Sequence, residues 1–214
     1  MTILRPLKQS RIVMLSASEF KQCFEIALKK SHASRTYHKT GILAERGEID
    51  TVFDFFPYIL AERGVKKFFK DTFGVKIPLD AEIVQRPLSQ QKFECIEEKG
   101  KLRKVQIRVS VEPNNRERRF HIPGHIDERE NIGRKPDVHI FVGVGLSSDH
   151  LFRIVRDHSS FKIPVEIMGY YYHKELKEAV TRQKIKGRSF HRYVMSLAGI
   201  YNSDRDWKKL IKLL

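Results

Sequence analysis

Glu94, Gln106 and Arg108 are the residues whose types and spacing most directly suggest chemistry. The stretches 92–97 (KFECIE) and 102–111 (LRKVQIRVSV) flank the turn Glu98-Lys99-Gly100-Lys101, where Gly100 suits a position of positive φ. In the second stretch Val105, Ile107, Val109 and Val111 alternate with Lys104, Gln106, Arg108 and Ser110, which predicts one apolar and one polar strand face. A turn centred on Gly100 sets Glu94 across from Gln106, with Arg108 two residues along the same face. A carboxylate and an amide oxygen on adjacent strands can hold a divalent cation, and the guanidinium beside them can face a phosphate. Register decides the matter: a turn centred between Lys99 and Gly100 pairs Glu94 with Val105 and breaks up the group. The competing structural reading is a solvated cross-strand Glu–Arg pair contributing ~0.2–1 kcal/mol.

These residues belong to a chain of 214 residues with 41 Lys and Arg against 26 Asp and Glu, a net charge of +15. Such an excess points to a polyanionic partner. The charge is unevenly placed: residues 41–98 are net acidic, whereas 1–40, 99–135 and 151–214 are net basic. Hydrophobic residues make up 41%, enough to bury a core. Two cysteines, Cys23 and Cys95, build neither a disulfide scaffold nor a four-cysteine zinc site. No apolar run approaches a membrane span, and no signal-peptide pattern opens the chain, so a cytoplasmic protein is expected.

The elements that must position the site follow from periodicity. Arg11–Leu15 reads as a strand. Ser16 and Glu19 then have capping-box spacing, and Phe20, Cys23, Phe24, Ala27 and Leu28 form an apolar stripe, predicting a helix to about Ser31. The polar stretch 31–40 reads as a loop. Residues 41–74 carry a helical pattern that Pro57 should kink or split. A short strand is expected around Glu82–Gln85, and 112–135 reads as a long loop. Val138–Leu146 is apolar almost throughout, as in a central strand buried on both faces. Val165–Tyr172 reads as another strand, and 174–183, 190–201 and 204–214 as helices. The sum is α/β or α+β, with a mixed central sheet flanked by helices.

Gly41-Ile-Leu-Ala-Glu45 opening a helix, Phe93-Glu94-Cys-Ile-Glu on a strand, a Lys-Gly-Lys turn and Lys104-Val-Gln-Ile-Arg108 together resemble the PD-(D/E)xK nuclease superfamily. The likeness is greatest to its small endonucleases whose last motif is Q-x-K, and it covers roughly residues 41–180. It implies a restriction-endonuclease-like core in which Glu94 stands for the metal-binding Asp, Gln106 is the second ligand and Arg108 replaces the Lys. Glu45 or Glu48 would be the helical carboxylate, and the metal Mg2+. Glu for Asp keeps the charge. Arg for Lys does not keep the chemistry, because Arg stays protonated and cannot move a proton, although it can stabilise a pentavalent phosphate.

The same motif has a second placement, with Pro136-Asp137 as the PD and Glu166-Ile-Met168 as the E-x-K. Met cannot activate water. Asp80 and Glu82 offer further carboxylates, and His121, His125 or His150 could serve as a general base without metal. Gly143-Val-Gly145 is a weak dinucleotide signal, better read as glycines that let a buried strand pack closely.

Basic residues supply the expected grips: Arg116, Arg118 and Arg119 in the long loop, and Lys184, Lys186, Arg188 and Arg192 near the C-terminus. The expected organisation is a strand–helix appendage over 1–40, a nuclease-like core over 41–180 and a basic helical extension over 181–214. The expected activity is Mg2+-dependent cleavage of double-stranded DNA by a homodimer, with no membrane partner. The alternatives are a nucleic-acid-binding protein without catalysis and a metal-independent DNA-acting enzyme.

Overall fold

The computed structural model describes residues 11–37, 48–77, 95–98, 101–110, 120–123, 137–146, 161–175, 180–184, 191–195 and 199–213. The chain enters as strand β1 (Arg11–Ser16) and turns directly into helix α1 (Ala17–Tyr37). The expected capping box is formed: the Ser16 amide donates to Glu19 Oε2 at 2.8 Å, and the Glu19 amide donates to Ser16 Oγ at 3.2 Å. Phe20, Cys23 and Ala27 are buried. Ser31 is buried as well and continues that stripe by another turn. The helix therefore runs past Ser31 to Tyr37, into residues read from sequence as loop.

Helix α2 (Glu48–Phe73) runs through Pro57 without being split there. An internal proline costs ~3 kcal/mol. Against it stand Val52, Phe56, Ile59, Leu60, Val65, Phe68 and Phe69, all buried, at ~1.5–3 kcal/mol for each large apolar side chain. Packing wins. Phe20 and Phe24 of α1 meet Phe56 edge-on at 4.8 and 5.4 Å, which locks the two helices together. The helix ends at Gly74, whose φ of +71° is the left-handed conformation of a C-cap.

Two sheets follow. Strands β2 (Cys95–Glu98), β3 (Lys101–Ser110), β5 (Val138–Val144) and β6 (Lys162–Tyr172) join β1 in a five-stranded mixed sheet of order β1-β6-β5-β3-β2. The β3–β5 pair is parallel and the others are antiparallel. Strands β4 (Phe120–Pro123), β7 (Val180–Lys184) and β8 (His191–Met195) form a three-stranded antiparallel sheet of order β4-β8-β7. The fold is α+β. Central strand β5 is buried at every residue, as its apolar run predicts.

The principal core lies between α1, α2 and one face of the large sheet, where Leu15, Ile140, Val142, Ile163, Val165 and Ile167 meet the helices. The strand–helix segment at the N-terminus shares this core. Helix α3 (Asp204–Leu213) closes one end. Its Trp207 ring lies 5.0 Å from Phe68, 5.6 Å from Phe69 and 5.2 Å from Tyr170.

Candidate functional site

The β2–β3 hairpin pairs Cys95 with Lys104, Ile96 with Arg103, Glu97 with Leu102 and Glu98 with Lys101. This is one residue off the register that sets position 94 across from Gln106. Two residues, 99 and 100, separate the paired ends, which is the shortest common hairpin connection and the alternative that the turn sequence admits. Because side-chain direction alternates, positions 95 and 97 share a face with positions 104, 106 and 108. The cross-strand Glu94–Gln106 alignment expected from sequence is thus corrected. Glu94 itself lies outside the described residues.

The other edge of β3 carries the site into the middle of the sheet. Gln106 pairs with His139, Arg108 with Phe141 and Ser110 with Gly143 on β5. From β5 the rows continue to β6, where His139 pairs with Tyr171, Phe141 with Gly169 and Gly143 with Glu166. These positions lie on the sheet face opposite the α1/α2 core. On that face His139, Phe141, Glu166, Met168 and Tyr171 are all buried. A bulge at Phe141/Val142 lets Met168 and Gly169 fit into β6 without breaking the pairing.

Buried Glu166 sits beside Gly143, where a Cβ would stand 2.7 Å from Met168 Cε and 3.7 Å from Glu166 Oε2. Gly145 is held against Pro164 in the same way, with a Cβ position 2.6 Å from Pro164 Cγ. Both glycines therefore serve close packing, as the structural reading of Gly143-Val-Gly145 expects.

Two histidines meet at the end of this face. His139 Nε2 and His173 Nδ1 lie 2.8 Å apart, with the rings roughly stacked, and the His173 amide donates to the Asp137 carbonyl at 2.9 Å. Sequence reading passes over this pair because His139 sits inside an apolar run; a polar residue at one position of a fully buried strand is the available signal.

A tyrosine cluster lies beside it, with Tyr170, Tyr171 and Tyr172 around Tyr201 at ring distances of 5.3–6.2 Å. Burial pushes the pKa of Tyr170 and Tyr171 above the ordinary value. The Glu175 charge is the main cause of the same shift at Tyr201, whose hydroxyl points to Glu175 Oε1 at 3.4 Å. The Tyr170 hydroxyl donates to the Asp206 carbonyl at 2.9 Å. Tyr170 and Tyr201 thus act as hydrogen-bond donors, the first tying β6 to α3 and the second tying the segment leading into α3 to Glu175.

The second placement of the motif fails on distance. Asp137 lies next to His173, whereas Glu166 pairs with Gly143, six residues further along β5 and therefore roughly 20 Å away at ~3.3 Å per residue. The two carboxylates cannot share a cation.

Glu48 is the first residue of α2, at the far end from Gly74. Glu45, Asp80, Glu82, His125, His150, Arg116, Arg118, Arg119, Lys186 and Arg188 lie outside the described residues. His121 falls on β4, in a stretch read from sequence as loop. Lys184, just beyond the expected helix 174–183, and Arg192, within the expected helix 190–201, both fall on paired strands: Lys184 pairs with His191, and Arg192 with Gln183 and Pro123. VTRQK sets one apolar residue ahead of four polar ones and HRYVM two polar residues ahead of three apolar ones, so neither segment has a period that tells strand from helix, and pairing decides. The C-terminal region is therefore helical only over 204–213 among the described residues.

Among the described residues no group of three His, Cys, Asp or Glu gathers as a metal site, and no helix is long and apolar enough to cross a membrane. No family model, curated protein or solved structure matches this chain.

Proposed function

We propose that this chain is a Mg2+-dependent endonuclease acting on double-stranded DNA as a homodimer, with a PD-(D/E)xK-like site built on β3. The observation that carries the reading is the placement of Gln106 and Arg108 two residues apart on one strand, each paired with the buried central strand β5. The antiparallel β2–β3 hairpin and the buried strand β5 beside it support the reading, since the resemblance implies a buried strand after the motif. The net charge of +15 suits a polyanionic substrate.

The described part of the donor set fits a cation only as one amide ligand, Gln106, beside a guanidinium. The observed hairpin register takes position 94 out of line with Gln106, so Glu45 or Glu48 would have to supply the carboxylate. When bound, Mg2+ supplies Lewis acidity toward the phosphodiester. Gln106 orients through its amide oxygen. Arg108, protonated at every accessible pH, stabilises the charge that builds on phosphate oxygens and takes no part as a base.

Mixed-sequence plasmid at low salt, with Mg2+ or with EDTA, tests the reading: discrete fragments that need Mg2+ and vanish in Gln106→Ala support it. The one-residue register shift of the hairpin favours a second reading, a nucleic-acid binder that has lost catalysis. That protein binds the plasmid in a salt-sensitive way, identically with and without chelator, and never cuts it.

A further inference from the structure

Helix α3 carries Arg205, Lys208, Lys209 and Lys212, all exposed, at positions i, i+3, i+4 and i+7. That spacing makes a single stripe about 10 Å long at 1.5 Å per residue. Among the described residues none of the four enters an ion pair. The acids of the first turn are committed elsewhere: Asp204 pairs with Arg11 at 2.7 Å, and Asp206 accepts from the Ser203 amide and hydroxyl. Among the described residues no carboxylate is paired with the stripe.

It is also held rigidly. On the opposite side Trp207 and Leu210 are buried in the core, and Ser203 caps the helix by accepting from the Asp206 amide at 3.2 Å. A cationic stripe on a fixed helix matches a phosphate backbone, which presents a charge about every 3.4 Å of rise along each strand, so the stripe spans about three phosphates. A lipid surface suits it poorly, because amphipathic helices that lie on membranes insert their apolar face, and here that face is already packed against Phe68, Phe69 and Tyr170.

We propose that this face of α3 docks the phosphate backbone of duplex DNA, as a contact distinct from the β3 site. The inference deepens the endonuclease reading and rests on its choice of DNA as partner. It does not rest on catalysis.

The test is fluorescence anisotropy of the full chain with a short labelled duplex, in EDTA, across a salt series. The variants are Lys208→Gln/Lys209→Gln/Lys212→Gln and, as a control with the same loss of charge, Lys21→Gln/Lys29→Gln/Lys76→Gln. The expected result is a salt slope lower by roughly 2–3 in the α3 variant, at about 0.9 for each phosphate no longer neutralised, with the control close to wild type. Trp207 fluorescence confirms that both variants are folded. Equal effects of the two variants, no effect of either, or a wild type that binds anionic phosphatidylserine vesicles but no duplex would overturn it. Cleavage in Mg2+ separates the two claims: a chain that cuts with an unchanged slope in the α3 variant keeps the endonuclease reading and loses this one. A chain that never cuts but shows the slope change does the reverse.

Discussion

Gly64 of α2 lies directly over Val165 of β6, so close that a Cβ at position 64 would stand 2.8 Å from Val165 Cβ. The helix reaches the sheet at that point because position 64 has no side chain. Gly64→Ala should therefore destabilise the fold by about 1–3 kcal/mol through overpacking, despite alanine's better helix propensity. Val165→Ala in the same chain should recover part of the loss. Urea unfolding of the two single variants and the double variant measures the coupling, and simple additivity would place the close approach elsewhere.

Ser203 caps α3 through reciprocal bonds with Asp206. Ser203→Ala should cost ~0.5–2 kcal/mol, while Ser203→Asp should retain most of the cap. The chain's one tryptophan, Trp207, is buried in the first turns of the same helix, so its emission reports unfolding directly.

Cys23 is buried against α2, and burial pushes its thiol from the ordinary 9.0 up to about 11. Tyr170 is shifted further in the same direction, also by burial. The folded thiol is harder to ionise than the unfolded one. Its contribution to stability is therefore fully present below about pH 9 and is lost as pH rises toward about 11. Thermal unfolding across that window should show a falling midpoint, with Tyr170 extending the fall to higher pH. In a Cys95→Ser background Cys23 should resist iodoacetamide at pH 8 until the protein is unfolded; alkylation of the folded chain at a free-thiol rate would contradict this placement.

Much of this fold is legible in the residues themselves. The Ser16/Glu19 spacing marks the start of α1, and the apolar run at 138–144 marks the central strand, because local hydrogen bonding and burial act at short range. What stays hidden depends on partners distant in sequence. Pro57 sits inside a helix because tertiary burial outweighs its local cost. Lys184 and Arg192 lie on strands because β7 and β8 pair with each other and β8 with β4. The hairpin register turns on a single residue, and the turn at Lys99-Gly100 permits both choices, so the polar face of β3 is readable but its cross-strand neighbour is not. The His139–His173 contact joins residues on different elements and leaves no spacing signal.

The central claim is that Gln106 and Arg108 on β3 act on a phosphodiester in the presence of Mg2+. Its most direct measurement is the single-turnover cleavage rate of Gln106→Ala and Arg108→Ala at saturating DNA, with duplex binding in EDTA measured in parallel. Both variants should lose about 100-fold or more in rate while binding within a few-fold of wild type, since their interactions grow as charge develops on the phosphate. Cleavage at the wild-type rate in either variant would contradict the account and place the chemistry away from β3.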